Sequence, residues 1–387
     1  MDIQEKKLKL LIHQPRLSYY IGGGERVPLE QAEILSSFGH KVEILTSRMS
    51  PKSSIFRCFQ QKNPKIKIHY LSLPQKEQKI YKEKPGRRWF RWDIESIVFG
   101  QKSLEFYSKN KTHYDAVITH LLSDSLFIPL SLNNILHLHG VPCGKRDIDN
   151  IFLRRPDGFI AVSKSVKTGW GKLYPALKKK NIKICYNGVD NKKFCNSKIK
   201  RNIDLLFVGR LLEIKGIYRV VEALKILIQQ KIDFNKLVIV GQGPERLALK
   251  RKIKKLGLEK KIKFIESATD RTLINLYNQS RIFLCPSYKK EGVLTTMLEA
   301  ASCGCAIISA DCCGMKEFIK NNINGILAKP NNAFDLAQKI KLFLKDESIR
   351  NVYAQRAEKE IQKKWNILQT TKMLEKIYLK IIKKYDH

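Results

Sequence analysis

Acidic residues are scarce: 36 Asp and Glu stand against 73 Lys and Arg in 387 residues, a net charge of +37. So basic a chain disfavours cationic partners and points to anionic ones, such as nucleic acid, anionic lipid or phosphorylated small molecules. Part of the excess accompanies a composition rich in Lys, Ile and Asn together. Long apolar runs are missing as well. No stretch reaches the roughly 18 uninterrupted apolar residues of a membrane-crossing helix. Met1–Lys9 is polar and charged, without the apolar segment of a secretory leader. The expectation is a cytoplasmic protein, peripheral on the inner face of the cell membrane if it meets a membrane at all. Cysteine is present in an odd number, nine. The spacing of Cys303, Cys305, Cys312 and Cys313 fits no zinc pattern. Their small apolar neighbours read as surroundings of buried free thiols in a reducing compartment. No Gly-Lys-Ser/Thr follows the one glycine run, so there is no Walker loop, and Gly241–Pro244 (GQGP) does not complete a GxGxxG. The positive charge is dispersed and no zinc-finger or RNA-recognition motif stands behind it, which argues against a nucleic-acid partner.

Hydrophobic residues make up 43% of the chain, enough for cores in the two or three domains that this length implies. Short apolar runs alternate with helix-length amphipathic segments. The expected strands of the first half are Leu8–His13, Lys41–Thr46, Ile66–Leu71, Tyr114–His120, Asn134–His139 and Gly158–Ser163. Those of the second are Asp204–Gly209, Lys236–Gly241, Ile262–Ile265, Arg281–Pro286, Ala306–Ser309 and Gly325–Ala328. Runs such as Leu205–Val208 and Leu237–Val240 are apolar throughout, as parallel strands covered on both faces require. Strand–helix alternation of this kind gives two doubly wound α/β sheets. The polar stretch Asn191–Asn202 reads as the linker between domains spanning 1–190 and 203–364. From Glu347 onward the apolar residues recur at helical spacing, and 365–387 reads as a terminal helix.

Four sequence elements place chemistry on this frame. Glu291 and Glu299, in PSYKKEGVLTTMLEAASCG, lie eight residues apart. With a helix opening at Gly292 they would be about 12 Å apart. The free amides of Gly292, Val293 and Leu294 would then suit a diphosphate or a sugar hydroxyl. Spacing alone is equally met by two solvated carboxylates. In Phe207–Gly216 (FVGRLLEIKG), Arg210 and Lys215 flank a short loop between a strand and a helix, an anion site or two surface cations. Gly22, Gly23 and Gly24 follow the first strand. They permit positive φ and close backbone approach to a ligand, or form a plain turn. His139 ends a strand of the first half, on the side where such sheets bind ligands, and by itself reads equally as a structural histidine.

In order along the chain stand GGGERV, GHKVEILT, DGFIAVSKSV, YNGVD, FVGRLLEIKG, VGQGP, PSYKKEGVLTTMLEAASCGCAIIS, GMKEFI and NGILAKP. This series resembles the retaining glycosyltransferases of family 4. The resemblance spans nearly the whole chain and is strongest from Asp204 to Pro330. It implies a GT-B fold, α/β, with two doubly wound Rossmann-like domains facing a central cleft, acceptor side first and nucleotide-sugar side second. It leaves room for the last helix to cross back to the first domain. It implies that Arg210 and Lys215 contact the donor diphosphate, Glu291 the donor sugar and Glu299 the ribose. By the same resemblance Gly22–Gly24 approach the phosphates or sugar, and His139 lies by the transferred sugar and assists catalysis. The chain departs from the pattern at EGVLTT and at Ser302–Ile307, which bears on the choice of donor sugar.

The activity implied is transfer of a hexose from a UDP- or GDP-sugar to a hydroxyl acceptor, a glycan or a lipid-linked precursor. No cofactor or metal is expected, since protein cations meet the leaving diphosphate. The one DxD match, Asp147-Ile148-Asp149, sits in a loop after Gly144-Lys145-Arg146. A sucrose- or glycogen-type synthase and a non-enzymatic basic nucleic-acid binder are the alternatives. Lys76–Trp92 holds seven Lys/Arg and four aromatics. Arg87, Arg88, Trp89, Arg91 and Trp92 suit an anionic membrane surface near the acceptor side, or a helix whose aromatics enter the core.

Overall fold

The computed structural model describes residues 6–20, 22–49, 52–73, 88–110, 113–142, 144–289 and 291–382, without the side chains of 88–92. The chain forms two units, one of 1–185 with 370–387 and one of 186–369.

The first unit holds a parallel sheet of β1 (Lys9–His13), β2 (Lys41–Ser47), β3 (Lys67–Leu71), β4 (Ala116–Thr119), β5 (Asn134–Leu138), β6 (Gly158–Ala161) and β7 (Lys183–Ile184), in the order β3-β2-β1-β4-β5-β6-β7. Alternate residues serve opposite faces. Leu10, Ile12, Ile118, Ile135 and Ile160 pack with the helices Gly23–Ser37 and Ile367–Ile382. Leu11 and Val117 meet Phe99 of the helix Arg88–Lys109 on the other face, where Leu136, Phe159 and Ala161 meet Trp170. Each fully buried side chain of this size contributes about 1.5–3 kcal/mol. Leu374, Ile377, Tyr378 and Ile381 form the buried stripe of the terminal helix. Gly158 leaves room for it, since a Cβ there would lie 2.8 Å from Ile381 Cγ2.

The second unit repeats the plan with β8 (Ile203–Val208), β9 (Leu237–Val240), β10 (Ile262–Ile265), β11 (Ser280–Cys285), β12 (Ala306–Ala310) and β13 (Ile326–Ala328), all parallel, in the order β10-β9-β8-β11-β12-β13. Leu205, Phe207, Leu237, Ile239 and Ile282 face one helical layer, and Leu206, Val238, Phe283 and Ile307 the other.

Some observed strands are shorter than the expected runs, as Ala116–Thr119 and Gly158–Ala161 are, whereas Lys41–Ser47 and Ala306–Ala310 run one residue further. β7 has only two residues and left no readable run. Asn191–Asn202, expected as a linker, folds onto the second unit. Phe194 is buried there, the Asn278 carboxamide accepts from Ser197 N (2.7 Å) and donates to Cys195 O (3.0 Å), and Arg201 donates to Cys303 O (2.7 Å). Its polarity reflects these bonds rather than freedom. Among the described residues no helix is long and apolar enough to cross a membrane.

Candidate active site

In each sheet the strand order reverses once, between β1 and β4 and between β8 and β11. Loops leaving the carboxyl ends of strands part at such a point and leave a crevice for ligands. The sequence-selected residues gather at these two places.

In the second unit β8 runs into Gly209 and Arg210, then through a turn at Glu213–Lys215 to Gly216, which caps the helix Ile217–Gln229 at φ 73. A Cβ on Gly216 would lie 2.3 Å from Pro286 O. Tyr288 N donates to Ile214 O at 3.1 Å. The loops after β8 and β11 are thereby drawn together, and Lys215 Nζ reaches Glu291 Oε1 at 2.7 Å. Nothing pairs with the half-buried Arg210 side chain among the described residues, so its charge is available to an anion.

Glu291 is held from behind. Its carbonyl accepts from Gly314 N at 3.1 Å. A Cβ on Gly314 would meet Gly292 C at 2.3 Å. Cys313 supplies the turn with φ 52. Because Gly292 and Val293 are wedged against this turn, the helix begins at Thr295, with Leu294 as an N-cap that makes no side-chain bond. That corrects the expected start at Gly292. The amides of Gly292, Val293 and Leu294 precede the helix, and the 12 Å helical span does not apply. Glu299 is buried and accepts from Tyr277 OH at 2.8 Å. Neither carboxylate is a solvated surface group.

GQGP, set aside as an incomplete dinucleotide motif, has a structural task. Gly241 has φ 140, and a Cβ there would meet Gly209 O at 2.0 Å; one on Gly243 would meet Leu211 O at 2.2 Å. Close approach of two loops, signalled by the paired glycines, shapes the turn that carries Arg210. Cys303 and Cys305 are buried free thiols, with Cys305 raised to about 11 by burial.

In the first unit Gly22 is the N-cap and Gly23 and Gly24 open the helix Gly23–Ser37. None of them has positive φ, so the expected left-handed freedom is not used. What Gly22 gives is room: a Cβ there would lie 2.8 Å from Glu25 Oε2. Glu25 is buried beside Arg16, 3.6 Å from its guanidinium.

His139 follows β5 at the same crevice, and its Nε2 shares a hydrogen bond of 2.8 Å with His120 Nδ1. Burial, with Arg16 nearby, pushes His139 down to about 4. His137 falls to about 3 through burial and His139, and burial holds His120 well below the usual range. Burial raises Asp124 to about 8 and Glu95 to about 7. Sequence reasoning missed Arg16, Glu25, Glu95, Asp124 and His120, which isolated positions do not mark. Asp149 of the DxD is engaged by Arg146 (2.5 Å) and Tyr174 OH (2.5 Å). Arg87 lies outside the described residues. Arg88, Trp89, Arg91 and Trp92 lie on the helix Arg88–Lys109.

Two family profiles divide the chain between them: that described as Glycosyltransferase Family 4 matches residues 21–193, and that described as Glycosyl transferases group 1 matches 189–360. The chain belongs to glycosyltransferase family 4. Its fold is GT-B. The uncharacterized glycosyltransferase MJ1069 of Methanocaldococcus jannaschii is 27% identical over 245 residues, 61% of this chain and 62% of that protein. A second relative is the N,N'-diacetylbacillosaminyl-diphospho-undecaprenol alpha-1,3-N-acetylgalactosaminyltransferase of Campylobacter jejuni. It is 30% identical over 225 residues, 58% of this chain and 55% of that protein. The matches thus span about three fifths of these relatives' length. The solved structure of Anabaena Alr3699/HepE in complex with UDP-glucose superposes with a TM-score of 0.75 at 17% identity, covering 96% of this chain and all of that one, which is a likeness of fold.

Proposed function

We propose that this family 4 chain is a retaining glycosyltransferase that moves a hexose from a UDP- or GDP-sugar to a hydroxyl acceptor on a lipid-linked or cell-surface glycan. The observation that carries the reading is the Lys215–Glu291 pair at the β8/β11 crevice, with the Arg210 charge open beside it. Cleavage of the sugar–phosphate bond leaves positive character on the sugar and added negative charge on the diphosphate. Arg210 and Lys215 meet that negative charge, and no metal is needed for it. Preorganised donors of this kind contribute about 2.7–4 kcal/mol each to a transition state. Glu291, steered by Lys215, contacts the donor sugar, and Glu299, fixed by Tyr277, the ribose. Gly22–Gly24 bring backbone close to the donor. His139, neutral at working pH, takes or gives a hydrogen bond at the transferred sugar. The acceptor attacks from the face the diphosphate leaves, and the departing phosphate oxygen takes its proton.

A relative named for a diphospho-undecaprenol substrate and a protein of this fold bound to UDP-glucose support the acceptor and donor classes. The basic aromatic stretch around Arg87, Arg88, Trp89, Arg91 and Trp92 suits a peripheral contact with the anionic cytoplasmic face of the membrane. Thermal melting with a panel of nucleotides and nucleotide sugars tests the reading, because a ligand of the native state raises the melting temperature. A shift with a UDP or GDP species that Lys215→Ala abolishes is expected. No shift with any nucleotide refutes it.

A further inference from the structure

β5 carries His137 and the residue after it is followed by His139, so the two lie on one face of the sheet. β4 pairs with β5 in parallel, Thr119 opposite Leu136, which sets the next residue, His120, beside His137. The three rings cluster with centroids 4.9, 5.1 and 6.2 Å apart, His120 and His139 stacked and His137 tilted against both. One ring nitrogen from each lies within 4.8 Å of the others, the sole such group of His, Cys, Asp and Glu among the described residues. His120 Nε2 is buried without a hydrogen-bond partner.

The geometry points to a three-histidine site for a first-row divalent ion such as Zn²⁺ or Co²⁺. Imidazole nitrogens with no carboxylate among them suit Zn, Co, Ni and Cu and not Mg or Ca. Zn–N bonds of about 2.0–2.1 Å place tetrahedral ligands roughly 3.4 Å apart, which ring rotations reach from the present spacing. The hydrogen bond between His120 and His139 gives way as the donor ring's proton moves to its outward nitrogen, the acceptor ring carrying its own there already. The supporting shell is built already: Tyr378 OH, from the terminal helix, meets His137 Nε2 at 2.8 Å and leaves Nδ1 for the ion. Ligating histidines are held through their other nitrogen in this way. His137 and His120 are buried while His139 is partly exposed, so the ion enters past His139 and the fourth position is open to water. An ion there occupies the imidazole that the transferase reading assigns to the sugar. It therefore acts as an inhibitor and not as a cofactor. Only that consequence rests on the transferase reading; the site stands on the cluster.

The test is titration of the chelator-treated full chain with Co²⁺ alone, followed by its visible d–d absorption. About one equivalent in a tetrahedral environment is expected. His120→Gln and His137→Leu each abolish the band, and Tyr378→Phe, which keeps the packing, weakens binding about 10- to 100-fold. No band, or one that survives both histidine variants, overturns the proposal. Zn²⁺ is expected to inhibit transfer by the wild-type chain and not by His137→Leu. Nucleotide-induced stabilisation, measured on the same samples, separates failure of the donor reading from failure of the metal site.

Discussion

Lys215 Nζ lies 2.7 Å from Glu291 Oε1, with the two side chains 12% and 18% exposed. On the proposed reading, a donor diphosphate at Arg210 would meet a lysine already oriented by a carboxylate. Lys215→Ala removes the ammonium and leaves Glu291 sheltered and unpaired. Transfer is expected to fall about 10²–10³-fold and unfolding free energy by about 1–3 kcal/mol. Steady-state kinetics and denaturant melts check both. A variant that loses stability but keeps its rate would remove Lys215 from the donor site.

Gly216 and Gly257 both have positive φ, 73 and 67, but only the first is crowded. Gly216→Ala sets a Cβ 2.3 Å from Pro286 O, which forces apart the two loops that hold Lys215 and Glu291. The expected loss is about 2–4 kcal/mol, backbone strain plus overpacking. Gly257→Ala has open space around it and costs about 1 kcal/mol, from the backbone alone. Equal losses in the two variants would show that loop packing contributes nothing.

The doubly wound plan was legible because strands such as Leu205–Val208 and Leu237–Val240 are apolar without interruption, a pattern only doubly covered strands need. The two residues of β7 are too few to carry a pattern. The start of the helix at Thr295 depends on Gly314, a residue twenty-two positions from Gly292 that nothing local announces. Arg210, Lys215 and Glu291 were legible as a set through their ordered motifs. Their hydrogen-bonded supports, Ile214 to Tyr288 and Gly314 to Glu291, arise only when loops from different strands meet. His139 was in view at the end of a strand, and His137 was not singled out. Their meeting with His120 needs the register of β4 on β5.

Gly24 opens the helix Gly23–Ser37, and a Cβ on it would touch nothing within 4 Å. Nothing in the fold therefore requires glycine there. Gly24→Ala is expected to raise stability by about 0.4–1 kcal/mol by restricting the unfolded chain. If the backbone there approaches the donor, the same change raises KM or lowers kcat. A more stable variant with unaltered kinetics rules out a ligand role for this glycine.

The stretch Lys76–Trp92 pairs seven cations with four aromatics. Near anionic headgroups each cation contributes about 1 kcal/mol. Changing Arg87, Arg88 and Arg91 together to Gln is expected to remove about 3 kcal/mol of vesicle binding, with the loss largest at low salt. Co-sedimentation with vesicles containing phosphatidylglycerol reads it. Unchanged sedimentation would assign these residues to the protein's own packing.

Asp124 and Glu95 hold their protons in the folded chain up to about 8 and about 7, because burial penalises the carboxylate. Unfolded, both release them near about 4. Between those limits the folded state binds more protons, so their contribution is complete below the unfolded values and is lost as pH rises through the folded ones. His13 works in the opposite sense. Burial holds it neutral down to about 3, while unfolded histidine protonates near about 6.5, so stability drains away as pH falls below that value. The melting temperature is therefore expected to decline from about pH 6.5, where histidine no longer opposes the two carboxyls, to about pH 8, where Asp124 is ionised in both states. Asp124→Asn, which cannot ionise, should flatten that decline. Melting curves at three pH values decide it: a midpoint that climbs toward about pH 8 in the wild type would mean that the buried carboxyls are ionised in the fold and matched by Arg16.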